Sequence, residues 1–118
     1  MSSGTTPSWA VTPEKVEQAV RRLVEAGRPR QISLFGSQVS GEPHRDSDLD
    51  ILVVTEDTVP GVRAESARLR AALRGIPMCM DIQVVRESDY QRLRDQVGLI
   101  YREVARRGKT VYQAEAAA

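Results

Sequence analysis

Apolar residues recur along this chain with two different periods. Between Val16 and Val24 they follow the three- and four-residue spacing of an amphipathic helix, and Thr12 with Pro13 supplies a helix start signal. The segment from Leu49 to Val54 is a short β-branched run between polar turn residues, which predicts a strand. Helical and extended patterns alternate in this way along most of the chain.

The predicted secondary structure consists of three helices, three strands and a short edge strand. The helices run from Pro13 to Gly27, from Arg63 to Arg74 and from Ser88 to Gly108, and the strands cover 31–35, 49–54, 80–85 and 109–112. Ser88 with Gln91 three residues later matches a capping box, so we expect Ser88 to cap the third helix. The alternation predicts a mixed α+β fold, with one small mixed sheet that helices cover on at least one face.

A single domain fits a chain of 118 residues. Domains of roughly 100 to 150 residues are common, and a chain of this size builds one hydrophobic core. We place the domain at residues 9–112. Residues 1–8, which are rich in Ser, Thr, Gly and Pro, and residues 113–118 are predicted to be flexible tails, because they offer little to bury.

Composition narrows the classes of function. The 17 Lys and Arg residues nearly balance the 16 Asp and Glu residues, and the net charge of +1 argues against bare nucleic acid as the main partner. A single cysteine and a single histidine exclude an internal disulfide and the usual zinc sites. The longest aliphatic run, Ile51 to Val54, is too short to span a membrane. Because the N-terminal residues do not resemble a signal segment and the chain has one cysteine, we expect a cytoplasmic protein.

Three aspartates lie at the starts of two predicted strands. Asp48 and Asp50 open the strand that continues to Val54, and because side chains alternate between the faces of a strand, both point to the same side. Asp81 has the same place in the strand 80–85. If these strands are neighbours, the carboxylates converge, and a repulsion of roughly 3 kcal/mol between two of them about 5 Å apart favours a bound divalent cation. Oxygen ligands suit Mg²⁺ or Mn²⁺.

A turn of small residues precedes this acidic segment. Gly36 lets the backbone come close to a phosphate, and the amides of Gly36 and Ser37, together with the Ser37 hydroxyl, can donate to phosphate oxygens. Hydrogen-bond donors to phosphate, next to carboxylates that bind a cation, predict a site for a metal ion and a triphosphate. Such a site can perform phosphoryl transfer without histidine or cysteine, which agrees with a composition of one histidine and one cysteine.

The spacing of these residues resembles the signature of DNA polymerase β-like nucleotidyltransferases. That signature is Gly-Ser, ten residues and Asp-x-Asp, here Gly36-Ser37 and Asp48-Leu49-Asp50. The short chain looks like the minimal (MNT) branch of the superfamily over residues 32–54, again at Asp81, and more weakly over 100–112. The resemblance implies the polymerase-β-like nucleotidyltransferase fold.

The resemblance also implies a role for each site residue and a reaction. Asp48 and Asp50 would bind the metal ions, and Asp81 would help to bind the catalytic ion and orient the acceptor hydroxyl. Gly36 and Ser37 would hold the triphosphate. The implied reaction is Mg²⁺-dependent transfer of a nucleoside monophosphate, AMP from ATP, to a hydroxyl of a partner protein. Many minimal members are antitoxins encoded beside a helical HEPN ribonuclease toxin, so a HEPN-type toxin is the implied partner.

Two alternatives stay open at the level of sequence. Gln38 and Ser40 occupy the places where minimal members commonly carry arginines, which favours a catalytically inactive module that acts by binding its partner. A small-molecule nucleotidyltransferase, of the kind that modifies aminoglycoside antibiotics, would need an additional domain for its acceptor, and we expect no room for one in 118 residues. The nucleotide preference, the acceptor and the oligomeric state also stay open.

Overall fold

The structure, a computed structural model, describes residues 11–35, 49–96, 102, 104, 106 and 108–114. It contains, in chain order, α1 (Pro13–Gly27), β1 (Gln31–Phe35), β2 (Leu49–Thr55), α2 (Val62–Ala72), β3 (Met80–Arg86), α3 (Glu87–Leu93) and β4 (Lys109–Gln113). Residues 102, 104 and 106 are also helical, and none of the described helices is both long and apolar enough to cross a membrane. Each predicted strand is present, with ends that differ from the prediction by at most one residue. Residues 1–8 and 115–118 of the predicted tails lie outside the described part.

The four described strands form one mixed sheet in the order β3-β2-β1-β4. β1 is antiparallel to both β2 and β4, whereas β2 and β3 are parallel. A tight hairpin cannot join parallel strands, and α2 lies in the crossover between β2 and β3. The observed architecture confirms the predicted α+β fold with a small mixed sheet.

Side-chain alternation divides the sheet into two apolar faces. One face packs against α1 and α2, and its buried residues include Ala19, Leu23, Ile32, Ile51 and Leu69. The opposite face packs against α3 and the helical residue 104, and its buried residues are Phe35, Leu52, Val54, Val85, Tyr90 and Val104. In the middle of β2, odd-numbered residues therefore face α1 and α2, and even-numbered residues face α3.

Backbone groups at both ends of α1 are satisfied locally. Thr12 Oγ1 accepts a hydrogen bond of 3.3 Å from the Lys15 amide, which confirms the predicted start of the helix. At the other end Arg28 adopts a left-handed conformation with φ of 44°, and its amide donates to the Val24 carbonyl. The helix therefore ends where the sequence predicts.

α2 packs closely against the C-terminal end of α1. A Cβ added at Gly27 would lie 2.9 Å from Leu69 Cδ2, so the glycine allows this approach. Nearby, the buried Glu65 forms an ion pair of 2.6 Å with Arg68, whose guanidinium also donates to the Ala26 carbonyl. The hydrogen bond to Glu65 raises the pKa of the Arg68 guanidinium. These contacts hold α2, and the side chains that it carries, in a defined position beside the sheet.

α3 begins at Glu87, and its cap is not the predicted one. Ser88 lies inside the first turn, and the N-cap position belongs to Arg86, whose side chain makes no capping hydrogen bond. The Ser88 amide instead donates to Asp57 Oδ1 at 2.9 Å, in the loop after β2. The predicted capping box is wrong because the acceptor comes from a residue 31 positions away in the chain.

Asp57→Ala should therefore destabilise the fold, whereas Ser88→Ala should leave the stability nearly unchanged. The loss of a capping acceptor costs about 0.5 to 2 kcal/mol, and the bond uses the backbone of Ser88, not its side chain. Urea denaturation of the two variants measures the free energy of unfolding. An equal loss in both, or a larger loss in Ser88→Ala, would contradict this assignment of the cap.

Candidate active site

The two strands that begin with predicted site residues lie side by side. β2 and β3 are parallel, and their register pairs Leu49 with Met80 and Asp50 with Asp81. Neighbouring strands lie about 4.8 Å apart, so the two carboxylates project from adjacent points of the sheet to the same face. The structure thus brings Asp50 and Asp81 together, as the sequence predicts.

The acid pair belongs to the sheet face that packs against α3. On β1 the register partner of Asp50 is Phe35, which belongs to the buried cluster of that face and directly precedes Gly36 in the chain. Asp50 is half-buried, and 45% of the Asp81 side chain is exposed. Three other predicted site residues lie outside the described part of the chain, namely Gly36, Ser37 and Asp48.

An arginine that the sequence reasoning did not assign to the site accompanies these acids. Arg70 of α2 reaches β3, where its Nη2 lies 3.4 Å from Asp81 Oδ1 and donates to the Ile82 carbonyl at 3.0 Å. Gln83 Nε2 donates to the other carboxylate oxygen, Asp81 Oδ2, at 3.3 Å. The arginines of α2 predict only a solvated helix face, because no local signal relates Arg70 to a strand residue 11 positions later.

The chemistry of the acid pair fits a hard divalent cation. Carboxylate oxygens are the ligands that Mg²⁺ and Mn²⁺ prefer, and Mg²⁺ commonly takes one or two protein carboxylates together with substrate phosphates. Asp50 and Asp81 supply two carboxylates on one face. Within the described ranges no three His, Cys, Asp or Glu side chains are grouped to hold a metal, and the third predicted ligand, Asp48, lies outside those ranges.

Two grooves of the described part of the chain are lined by residues other than the acid pair. An apolar groove of about 850 Å³ lies between α1 and β4, with Val16 and Val111 among its lining residues, on the opposite side of the sheet. A smaller cleft of about 280 Å³ is lined by Arg70 and neighbouring residues of α2 and β3. Asp50 and Asp81 line neither of these two grooves, so the assignment of the candidate site rests on the chemistry of the acids.

Comparison with known proteins identifies the family. The sequence profile of the nucleotidyltransferase domain family matches residues 13–111, a range that contains both Asp50 and Asp81. The chain therefore belongs to the nucleotidyltransferase domain family. No match was found among curated proteins.

Two solved structures are similar to this chain over most of its length. A protein of Sulfolobus solfataricus, proposed to be a nucleotidyltransferase, superposes with a TM-score of 0.54 at 23% identity, over 71% of this chain and 75% of its own, and supports the fold. A toxin-antitoxin structure with AMP-PNP superposes with a TM-score of 0.51 at 27% identity, over 84% of this chain and 74% of its own. The second likeness supports the predicted relation to the minimal nucleotidyltransferases.

The exposure of Asp81 limits its contribution to stability. Asp81→Asn removes a half-exposed ion pair, so the free energy of unfolding should change by less than about 1 kcal/mol. The adjacent Ile82 is only 3% exposed, and Ile82→Ala should cost about 2 to 5 kcal/mol. Urea denaturation of the two variants measures both values. If Asp81→Asn destabilised the protein as much as Ile82→Ala, the carboxylate would be structural.

Proposed function

We propose that this protein transfers AMP from ATP to a hydroxyl of a partner protein and acts as the antitoxin of a toxin-antitoxin pair. The observation that carries the proposal is the in-register pair of Asp50 and Asp81 on parallel strands of a nucleotidyltransferase domain. The partner in this proposal is a HEPN-type ribonuclease toxin, because the signature around Gly36-Ser37 resembles the minimal branch of the superfamily.

Support for ATP and for a protein partner comes from a structural neighbour and from charge. The toxin-antitoxin structure that matches 84% of this chain contains AMP-PNP, an analogue of ATP. The net charge of +1 favours a protein over bare nucleic acid as the partner. The first observation supports ATP as the substrate, and the second supports a protein as the partner.

In this proposal the aspartates hold the divalent cation, Mg²⁺ or Mn²⁺. Asp50 and Asp81 present their carboxylates from neighbouring strands, and Asp48 is the third ligand by its spacing in the sequence. When bound, the cation neutralises charge on the triphosphate and lowers the pKa of the attacking hydroxyl. Gly36 and Ser37 hold the triphosphate through their backbone amides and the Ser37 hydroxyl.

The order of the strands suggests on which side of Asp50 the triphosphate and the acceptor hydroxyl bind. β1, whose last residue Phe35 precedes Gly36, pairs with β2 on one side of Asp50, and β3 with Asp81 lies on the other. We infer that the triphosphate binds towards β1 and the acceptor hydroxyl towards Asp81, which is half-exposed. The acceptor hydroxyl loses its proton to solvent, and its oxygen forms a bond to the α-phosphorus. The bond from the α-phosphorus to the oxygen that bridges to the β-phosphate breaks, and pyrophosphate leaves with that electron pair.

Label transfer tests this reaction directly. The purified protein is incubated with Mg²⁺, ATP labelled at its α-phosphate and a candidate HEPN-type toxin. With a HEPN-type toxin as the acceptor, which the proposal names as the partner, we expect label on the toxin with the wild type and none with Asp50→Asn or Asp81→Asn. Glu17→Gln is the matched control, since it also removes one negative charge but lies on α1, on the other side of the sheet, and it should retain full transfer.

The outcomes separate the proposal from its alternative. Transfer by Asp50→Asn at the rate of the wild type would refute the site. A wild-type protein that neutralises the toxin without any transfer would be a binding module. The presence of Gln38 and Ser40, in place of two arginines that would contact phosphate, favours that alternative.

Mg²⁺ and AMP-PNP together should raise the melting temperature of the wild-type protein. A ligand at about 100 times its Kd stabilises the native state by about 2.7 kcal/mol. Asp50→Asn should lose most of this increase, because it removes a cation ligand, while Glu17→Gln should keep all of it. The same increase in Asp50→Asn as in the wild type would mean that the nucleotide binds elsewhere.

A further inference from the structure

Arg70 is held at the outer strand of the described sheet by contacts with both the helix and the strand. Its Nη2 donates to the Ile82 carbonyl at 3.0 Å and lies 3.4 Å from Asp81 Oδ1. Its Nε donates to Ser66 Oγ, one turn earlier in α2, at 3.4 Å. These contacts hold a positive charge in a defined position next to one of the two acids.

This charge acts on the acid pair as a whole. Asp50 and Asp81 are register neighbours, and carboxylates at adjacent strand positions repel each other. Arg70 offsets this repulsion from the side of Asp81. A divalent cation shared by the two acids would offset it more strongly, but it would bring a second positive charge to the carboxylate that Arg70 contacts. Arg70 and a bound cation therefore compete for Asp81.

We propose that Arg70 is a positioning residue for Asp81. Arg70 holds the Asp81 carboxylate at the edge of β3 in the absence of a divalent cation, and it opposes the binding of that cation. Gln83 assists by its hydrogen bond to the second carboxylate oxygen. The inference rests on the proposed function, because it takes Asp50 and Asp81 to be the ligands of the cation.

Two opposite effects decide how Arg70 changes the affinity for the cation. A residue that orients a metal ligand strengthens metal binding, but the contact of 3.4 Å between Arg70 and Asp81 is much longer than the roughly 2.8 Å of a strong charge-assisted hydrogen bond. The repulsion between the guanidinium and the cation falls only with the inverse of their distance. Repulsion is therefore the larger effect, and removal of the Arg70 charge should tighten binding.

Titration with Mn²⁺, followed by electron paramagnetic resonance of the free ion, measures this affinity without reference to catalysis. Arg70→Met should bind Mn²⁺ about three to ten times more tightly than the wild type, and Arg70→Lys, which keeps the charge, should restore the wild-type affinity. Arg63→Met is the matched control, because Arg63 is an exposed arginine about 10 Å away along the same helix. The Mn²⁺ affinity of Arg63→Met should stay within about twofold of that of the wild type.

The melting temperature in EDTA provides a second measurement. Arg70→Met should melt at a lower temperature than Arg63→Met, because it removes the positive charge next to Asp81, and Mn²⁺ should abolish this difference. A lower melting temperature with no change in Mn²⁺ affinity would mark Arg70 as a merely structural residue and overturn the inference.

Asp50→Asn separates this inference from the function on which it rests. If Asp50→Asn loses Mn²⁺ binding while Arg70→Met binds as the wild type does, or more weakly, the role of Arg70 is overturned and the proposed function remains. Equal Mn²⁺ affinity in the wild type and Asp50→Asn would overturn both, since the acids would then hold no cation.

Discussion

The candidate site depends on the in-register parallel pairing of β2 with β3. Asp50 and Asp81 are far apart in the chain, and this pairing alone puts them at adjacent positions. A shift of the register by one residue would turn Asp81 to the other face and leave an apolar side chain next to Asp50. The hydrogen bond of 2.9 Å from the Leu49 amide to the Cys79 carbonyl belongs to the same pairing at the start of the two strands. The backbone is therefore ordered at the point where the acids begin.

The two faces of the sheet differ in what they carry: one packs against α1 and α2, and the other carries the acid pair. α1 and α2 cover one face with fully buried residues such as Leu23 and Leu69, and this packing supplies much of the apolar core. The acids lie on the other face, at the ends of strands whose later residues, Leu52 among them, are buried under α3. Because side chains alternate along a strand, β2 contributes to the core of both faces and still presents Asp50 beside Asp81. A single strand thus contributes to both buried faces and also carries Asp50 of the candidate site.

α2 connects the core to the acid pair. Gly27 allows it to approach α1, and Arg68 links Glu65 of α2 to the end of α1. From this position Arg70 extends to Asp81 at the outer strand of the described sheet. The chain belongs to the nucleotidyltransferase domain family, whose members act on nucleoside triphosphates. In the proposed function a divalent cation binds to Asp81, and a positive charge next to that carboxylate would affect its binding. The packing of α2 therefore determines where a positive charge lies relative to the candidate site.

The sequence by itself determined the features that depend on residues close together in the chain. The strands, the start of α1 at Thr12 and the nucleotidyltransferase signature follow from spacings of a few residues, and the family match confirms the last of these. The cap of α3 escaped prediction because Asp57 contacts Ser88 across a long separation in the chain. Arg70 is exposed, as the sequence favours, but its contact with Asp81 escaped prediction for the same reason. The register of β2 with β3, and the arginine beside Asp81, were decided only by the tertiary structure, since long-range packing leaves no periodic pattern in the sequence.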